Sequence, residues 1–83
     1  GNLMNEIEKT YVNIGRELIA LCEQNRIFGG DDEESLTLWN AAVTAGNKFV
    51  TYGMVWTKFT GIDCLSAIEK TAVRQYLELK EKL

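Results

Sequence analysis

Chemistry in a small chain needs titratable side chains at workable spacing, and this sequence contains no histidine at all. That removes the commonest general base, the usual hydrolase triads and the most frequent transition-metal ligand together. Carboxylates, lysines, tyrosines and two cysteines remain, and none of them falls into a recognisable catalytic spacing. No residue stands out as nucleophile or base, so the chain reads as a non-enzyme without a cofactor. Cys22 and Cys64 lie far apart and form neither a metal-ligand nor a Cys-x-x-Cys pattern. They read as reduced, buried thiols of a cytoplasmic protein.

The acidic run Asp31, Asp32, Glu33 and Glu34 offers oxygens to a hard cation, but it lacks the alternating ligands and downstream glutamate of a calcium loop. Helix capping explains it without a metal, with Asp31 as N-cap and Glu34 three residues on, as in a capping box. Gly29 and Gly30 are followed by acids rather than by Gly-Lys-Ser/Thr, which argues for a helix stop and against a phosphate loop. Ala42 and Gly46 share the offset of some helix-turn-helix DNA readers. Asn47 stands where an apolar residue is wanted, however, and the net charge of −3 is wrong for a phosphate-backbone binder. Nucleic acid is therefore not an expected partner.

Two groups of residues could make contacts of functional consequence. Trp39, Phe49, Tyr52, Trp56 and Tyr76 are aromatics of the kind enriched at interfaces, although core packing is their plainer role. In the alternative, Tyr11 stacks on a base while Arg26, Lys48 or Lys58 meets a phosphate. Tyr11, residues 17–21 and residues 51–58 resemble, over part of the chain, small phage helical proteins that sequester cyclic-nucleotide signals. The resemblance implies a ligand held between subunits. Amphipathic helices share such patterns readily and the third helix departs from this one, so no family is assigned.

The elements that position these residues follow from periodicity. Met4, Ile7, Tyr11, Ile14, Leu18, Leu21 and Phe28 alternate at three and four, with Asn25 in the interrupted step. That is the seam of a helix over residues 3–28, and Val12, Ile19 and Cys22 widen it to the stripe of a globular bundle. A second helix, 32–60, carries Leu38, Ala42, Ala45, Phe49, Tyr52, Trp56 and Phe59, with Leu36, Trp39, Val43 and Val50 on a neighbouring face. Being apolar on more than one side, it should be central. A kink at Gly46 or Gly53 is expected there. The β-branched and aromatic residues around Gly53 also permit an α+β alternative with a hairpin near 47–60. A third helix, 63–82, with Asp63 as its cap, carries Leu65, Ile68, Ala72, Tyr76, Leu79 and Leu83.

Short connections between three helices predict an all-α, up-down-up three-helix bundle, one domain over residues 1–83. The longest apolar run, 18–22, is far too short to span a bilayer. No basic segment precedes an apolar one, so no signal peptide is expected and Met4 reads as the native start. At 83 residues such a core leaves stability marginal, which favours self-association. The functional expectation is a cytoplasmic, homo-oligomeric adaptor or inhibitor that docks on another protein, of a type suited to phage or mobile elements. The alternative is a helical oligomer that binds a nucleotide or other anionic ligand between subunits.

Overall fold

A computed structural model describes residues 6–51 and 65–82. Among them are three helices and no strand: α1 (Glu6–Glu23), α2 (Glu33–Thr51) and α3 (Ala67–Glu81). Residues 47–51 of the alternative hairpin are helical, and the rest of that segment lies outside the described residues. α2 runs through Gly46 without interruption, while Gly53 lies outside the described residues.

α2 packs against both of the other helices and is the central element. Tyr11 stacks on Phe49 with ring centroids 6.0 Å apart, and Trp39 reaches the end of α1 at Cys22, so α1 and α2 are antiparallel. Lys48 near the end of α2 meets Glu69 at the start of α3, and Glu17 of α1 meets Tyr76 and Lys80 of α3. The directions are up, down and up.

The core lies along α2. Leu38, Ala41, Ala42, Ala45 and Phe49 are buried against Leu18 and Cys22 of α1 on one side and Ala72, Val73 and Tyr76 of α3 on the other, with Ile27 and Leu65 closing the ends. Each large aliphatic side chain fully buried here contributes about 1.5–3 kcal/mol relative to exposure. Small residues govern the α1/α2 crossing. A Cβ added at Gly15 would stand 2.5 Å from the Gly46 carbonyl oxygen, and one added at Gly46 would stand 2.6 Å from Ile19 Cγ1. The two backbones touch where neither glycine carries a side chain. The face of α1 turned to α2 is thus centred on Gly15, Leu18 and Cys22, whereas the seam drawn from apolar residues ran through Ile14 and Leu21, which are only partly buried.

The helix ends depart from the expected boundaries for identifiable reasons. α1 stops at Glu23, not at Gly29 and Gly30. Asn25 adopts a left-handed φ of 55°, its N–H donates to the Cys22 carbonyl, and the Arg26 N–H donates to the Leu21 carbonyl. These are the two bonds of a Schellman closure, and asparagine tolerates its left-handed position better than most residues. Asn25 interrupts the apolar seam because it ends the helix. At the start of α2 the capping residue is Asp32, not Asp31: its carbonyl accepts from Leu36 N–H, and its carboxylate accepts from Ser35 N–H at 3.2 Å and Ser35 Oγ at 2.8 Å. α3 is capped by Ser66, not by Asp63, which lies outside the described residues. Ser66 and Glu69 form a reciprocal capping box.

Candidate functional site

The described surface is opened most usefully by a groove between α1 and α3, helices that each pack on α2 and meet one another through side chains. It encloses about 500 Å³ and is lined by Glu17, Ala20, Leu21 and Gln24 of α1, Arg26 just beyond it, and Leu79 and Lys80 of α3. Ala20, Leu21 and Leu79 supply an apolar floor. Periodicity explains the arrangement: Glu17, Ala20, Leu21 and Gln24 recur at the three- and four-residue steps of one helix face. The Schellman turn then holds the chain at Arg26 beside that face.

One polar cluster sits at the edge of the groove. The Tyr76 hydroxyl donates to Glu17 Oε1 at 2.5 Å, and Lys80 Nζ donates to the same oxygen at 2.9 Å while lying 5.6 Å from the Tyr76 ring centroid. The Tyr76 and Lys80 hydrogen bonds hold the Glu17 carboxyl below its ordinary range. Burial, aided by the Glu17 carboxylate, pushes the Tyr76 hydroxyl well above its own. Burial likewise raises the Cys22 thiol to about 11, with the Glu23 carboxylate adding to it. Each shift moves its group away from neutrality, so none of the three is tuned for proton transfer near pH 7.

A buried acid, Glu69, lies elsewhere, at the start of α3. Burial pushes the Glu69 carboxyl up, but donation from Ser66 N–H at 2.8 Å and from Lys48 Nζ at 2.9 Å outweighs it, and the net shift is downward. Its other oxygen has no partner among the described residues. Glu69 occupies the inward position near the start of α3, which leaves the neighbouring Ile68 exposed although the periodicity placed Ile68 in the core. Among the described residues no three acidic or thiol side chains gather to hold a metal ion.

The aromatics singled out by the sequence do not form one exposed surface. Phe49 and Tyr76 are buried in the chain's own core. Trp39 is partly buried, and its Nε1–H donates to the Cys22 carbonyl at 2.7 Å, tying α2 to the end of α1. Tyr52 and Trp56 lie outside the described residues.

The described members of the ligand-binding set are each engaged in a different contact. Tyr11 is stacked on Phe49, Lys48 is bound to Glu69 between α2 and α3, Arg26 stands at the α1/α3 groove, and Lys58 lies outside the described residues. Along α1 the step from Tyr11 to the Arg26 end is about 20 Å at 1.5 Å per residue. Within one chain Arg26 therefore stands too far from Tyr11 to share a small ligand with it. Glu17, Ala20, Leu79 and Lys80 were not among the candidate interface or ligand-binding residues, although residues 17–21 carried the resemblance and Leu79 the apolar face of the third helix. Lys80, in the last turn of α3, complements the negative end of that helix's dipole, and only its register relative to a parallel α1 brings it to the groove.

No protein-family model matches the chain, and neither a curated protein nor a solved structure matches it. No described helix is long and apolar enough to cross a membrane.

Proposed function

We propose that the chain is a non-enzymatic helical interaction module, an adaptor or inhibitor, that receives an amphipathic helix of another protein in the α1/α3 groove. The observation that carries this reading is the groove itself: an apolar floor of Ala20, Leu21 and Leu79 between two parallel helices, rimmed by Glu17, Gln24, Arg26 and Lys80. A fourth helix laid there would bury the floor as a helix-in-groove complex does. Among the described residues no carboxylate pairs with Arg26, so an acidic residue on the incoming helix would find a charge partner. The pKa directions at Glu17, Tyr76 and Cys22 support the non-enzymatic part of the proposal. A small cytoplasmic accessory protein of phage or mobile-element type fits the same reading.

The test is co-purification from the native host with three forms of the tagged chain: wild type, Ala20→Gln, which fills the groove floor from a residue outside the buried cluster, and Leu77→Glu, which alters an exposed leucine elsewhere on α3. A partner kept by wild type and Leu77→Glu but lost by Ala20→Gln supports docking in the groove. Retention by all three removes it.

A second reading has one observation in its favour: a groove of about 500 Å³, bordered by Arg26 and by the Lys80–Glu17 pair, is of small-ligand size and presents cations to an anion. A nucleotide held there or between subunits at 100 times its dissociation constant adds about 2.7 kcal/mol of stability. A thermal-shift screen over cyclic and linear nucleotides, run beside light scattering for the oligomeric state, separates this reading from the first.

A further inference from the structure

Three charges border the α1/α3 groove: the cations Arg26 and Lys80 and the anion Glu17. They are not equivalent. Lys80 is already held by Glu17 at 2.9 Å, whereas among the described residues Arg26 has no ion pair. The Lys80 and Glu17 side chains remain 45% and 46% exposed, and an ion pair so wetted is weak. Lysine's flexible stem lets its ammonium swing elsewhere at little cost. Glu17 has less freedom, because the oxygen that binds Lys80 also accepts from the hydroxyl of Tyr76, whose side chain is fully buried. Of the pair, Lys80 is the more freely moving member and Glu17 the more fixed.

We propose that Glu17 is a built-in competitor for Lys80, which weakens the groove's hold on a carboxylate-bearing helix and leaves Arg26 as the main anchor for its carboxylate. The proposal rests on the groove-docking reading above and names the chemistry of the partner: an amphipathic helix with an acidic residue placed to meet Arg26. Glu17 then acts in specificity through repulsion, admitting one well-placed acid and penalising a broadly acidic surface.

The experiment uses fluorescence anisotropy with two fluorescein-labelled designed helices, which share leucines at three- and four-residue steps and differ in having glutamates or lysines beside them. The wild-type chain is expected to prefer the acidic probe. Glu17→Gln keeps an oxygen for the Tyr76 hydroxyl, frees Lys80, and is expected to tighten the acidic probe about threefold or more and steepen its salt dependence while weakening the lysine probe. A purely structural role for Glu17 would move both probes in the same direction.

Arg26→Gln is expected to weaken the acidic probe more than Lys80→Gln does, a comparison that holds even if Glu17→Gln folds poorly. If Arg26→Gln weakens the acidic probe while Glu17→Gln leaves it unchanged or weaker, the competitor role is overturned and groove docking stands. If Lys80→Gln costs as much as Arg26→Gln, the competitor role is likewise overturned. If the wild-type chain binds neither probe, groove docking and the competitor fall together.

Discussion

Gly15→Ala tests the α1/α2 crossing directly, because two large effects oppose each other there. In an exposed helix, alanine in place of glycine stabilises by about 1 kcal/mol through backbone propensity alone. At position 15 the new methyl would lie 2.5 Å from the Gly46 carbonyl oxygen and 2.9 Å from both Phe49 Cβ and Val50 Cγ2. Ordinary contact needs about 3.5–4.0 Å, so the helices must part by about 1 Å. Rotation of a side chain does not relieve the clash, since the nearest atom belongs to the α2 backbone. Separation loosens Leu18 and Cys22 against Ala42, Ala45 and Phe49, and overpacking of this kind costs about 3 kcal/mol at the upper end of its range. The net expectation is a loss of about 2 kcal/mol, which for a domain of this size lowers Tm by about 8–16 °C. Gly46→Ala should cost less, because its closest obstacle is the movable Ile19 side chain, with the Gly15 carbonyl oxygen at 3.0 Å. Urea unfolding followed by circular dichroism reads both variants. A Gly15→Ala protein more stable than wild type would show that the helices do not cross at Gly15, and the packing described here would have to be abandoned.

Other consequences are checked with the same unfolding assay. Trp39→Phe keeps most of the ring but loses its bond to the Cys22 carbonyl, and should cost about 1 kcal/mol. Asn25→Gly should be neutral or slightly stabilising and Asn25→Ala destabilising by about 1 kcal/mol, because φ at this residue is 55°. A pH titration of stability should show loss at both extremes. The Glu17 and Glu69 carboxyls are lowered by folding, so their contribution is present above the ordinary carboxyl range and disappears as pH falls below it. The Cys22 thiol and Tyr76 hydroxyl are raised, so their contribution is complete below their ordinary values, 9.0 and 10.0, and fades as pH climbs through the folded ones, with Tyr76→Phe removing part of the alkaline limb. A stability profile flat from pH 3 to pH 11 would contradict these assignments.

The helical class, the up-down-up order and the central place of α2 were legible in the sequence, because amphipathic periodicity reports burial directly. The α2 face of Leu38, Ala42, Ala45 and Phe49 is buried as its spacing predicts. The face of α1 was drawn off-centre, with Leu18 and Cys22 buried as expected and Ile14 and Leu21 only at its flank, because Gly15 counts as nothing on a hydrophobic scale although the absence of a side chain is what brings the helices together. Cap positions slipped by one residue at Asp32 and by three at Ser66, since Ser, Asp and Glu recur so densely that several residues have capping chemistry. Ile68 and Glu69 exchanged their expected environments because capping and the Lys48 ion pair make an inward carboxylate tolerable. The groove could not be read from sequence at all. It depends on the register between α1 and α3, and no local pattern encodes that.

The Cys22 carbonyl accepts two hydrogen bonds, one from the Asn25 N–H and one from the Trp39 indole. A single oxygen thereby joins the terminus of one helix, the loop that leaves it and the body of the next. Unwinding the last turn of α1 would release the indole, and withdrawing the indole would strip that turn of its cross-link. The connection spanning residues 24–32 is therefore not a slack tether but a hinge closed by a shared latch, and the α1/α2 hairpin should open and close there as one cooperative unit.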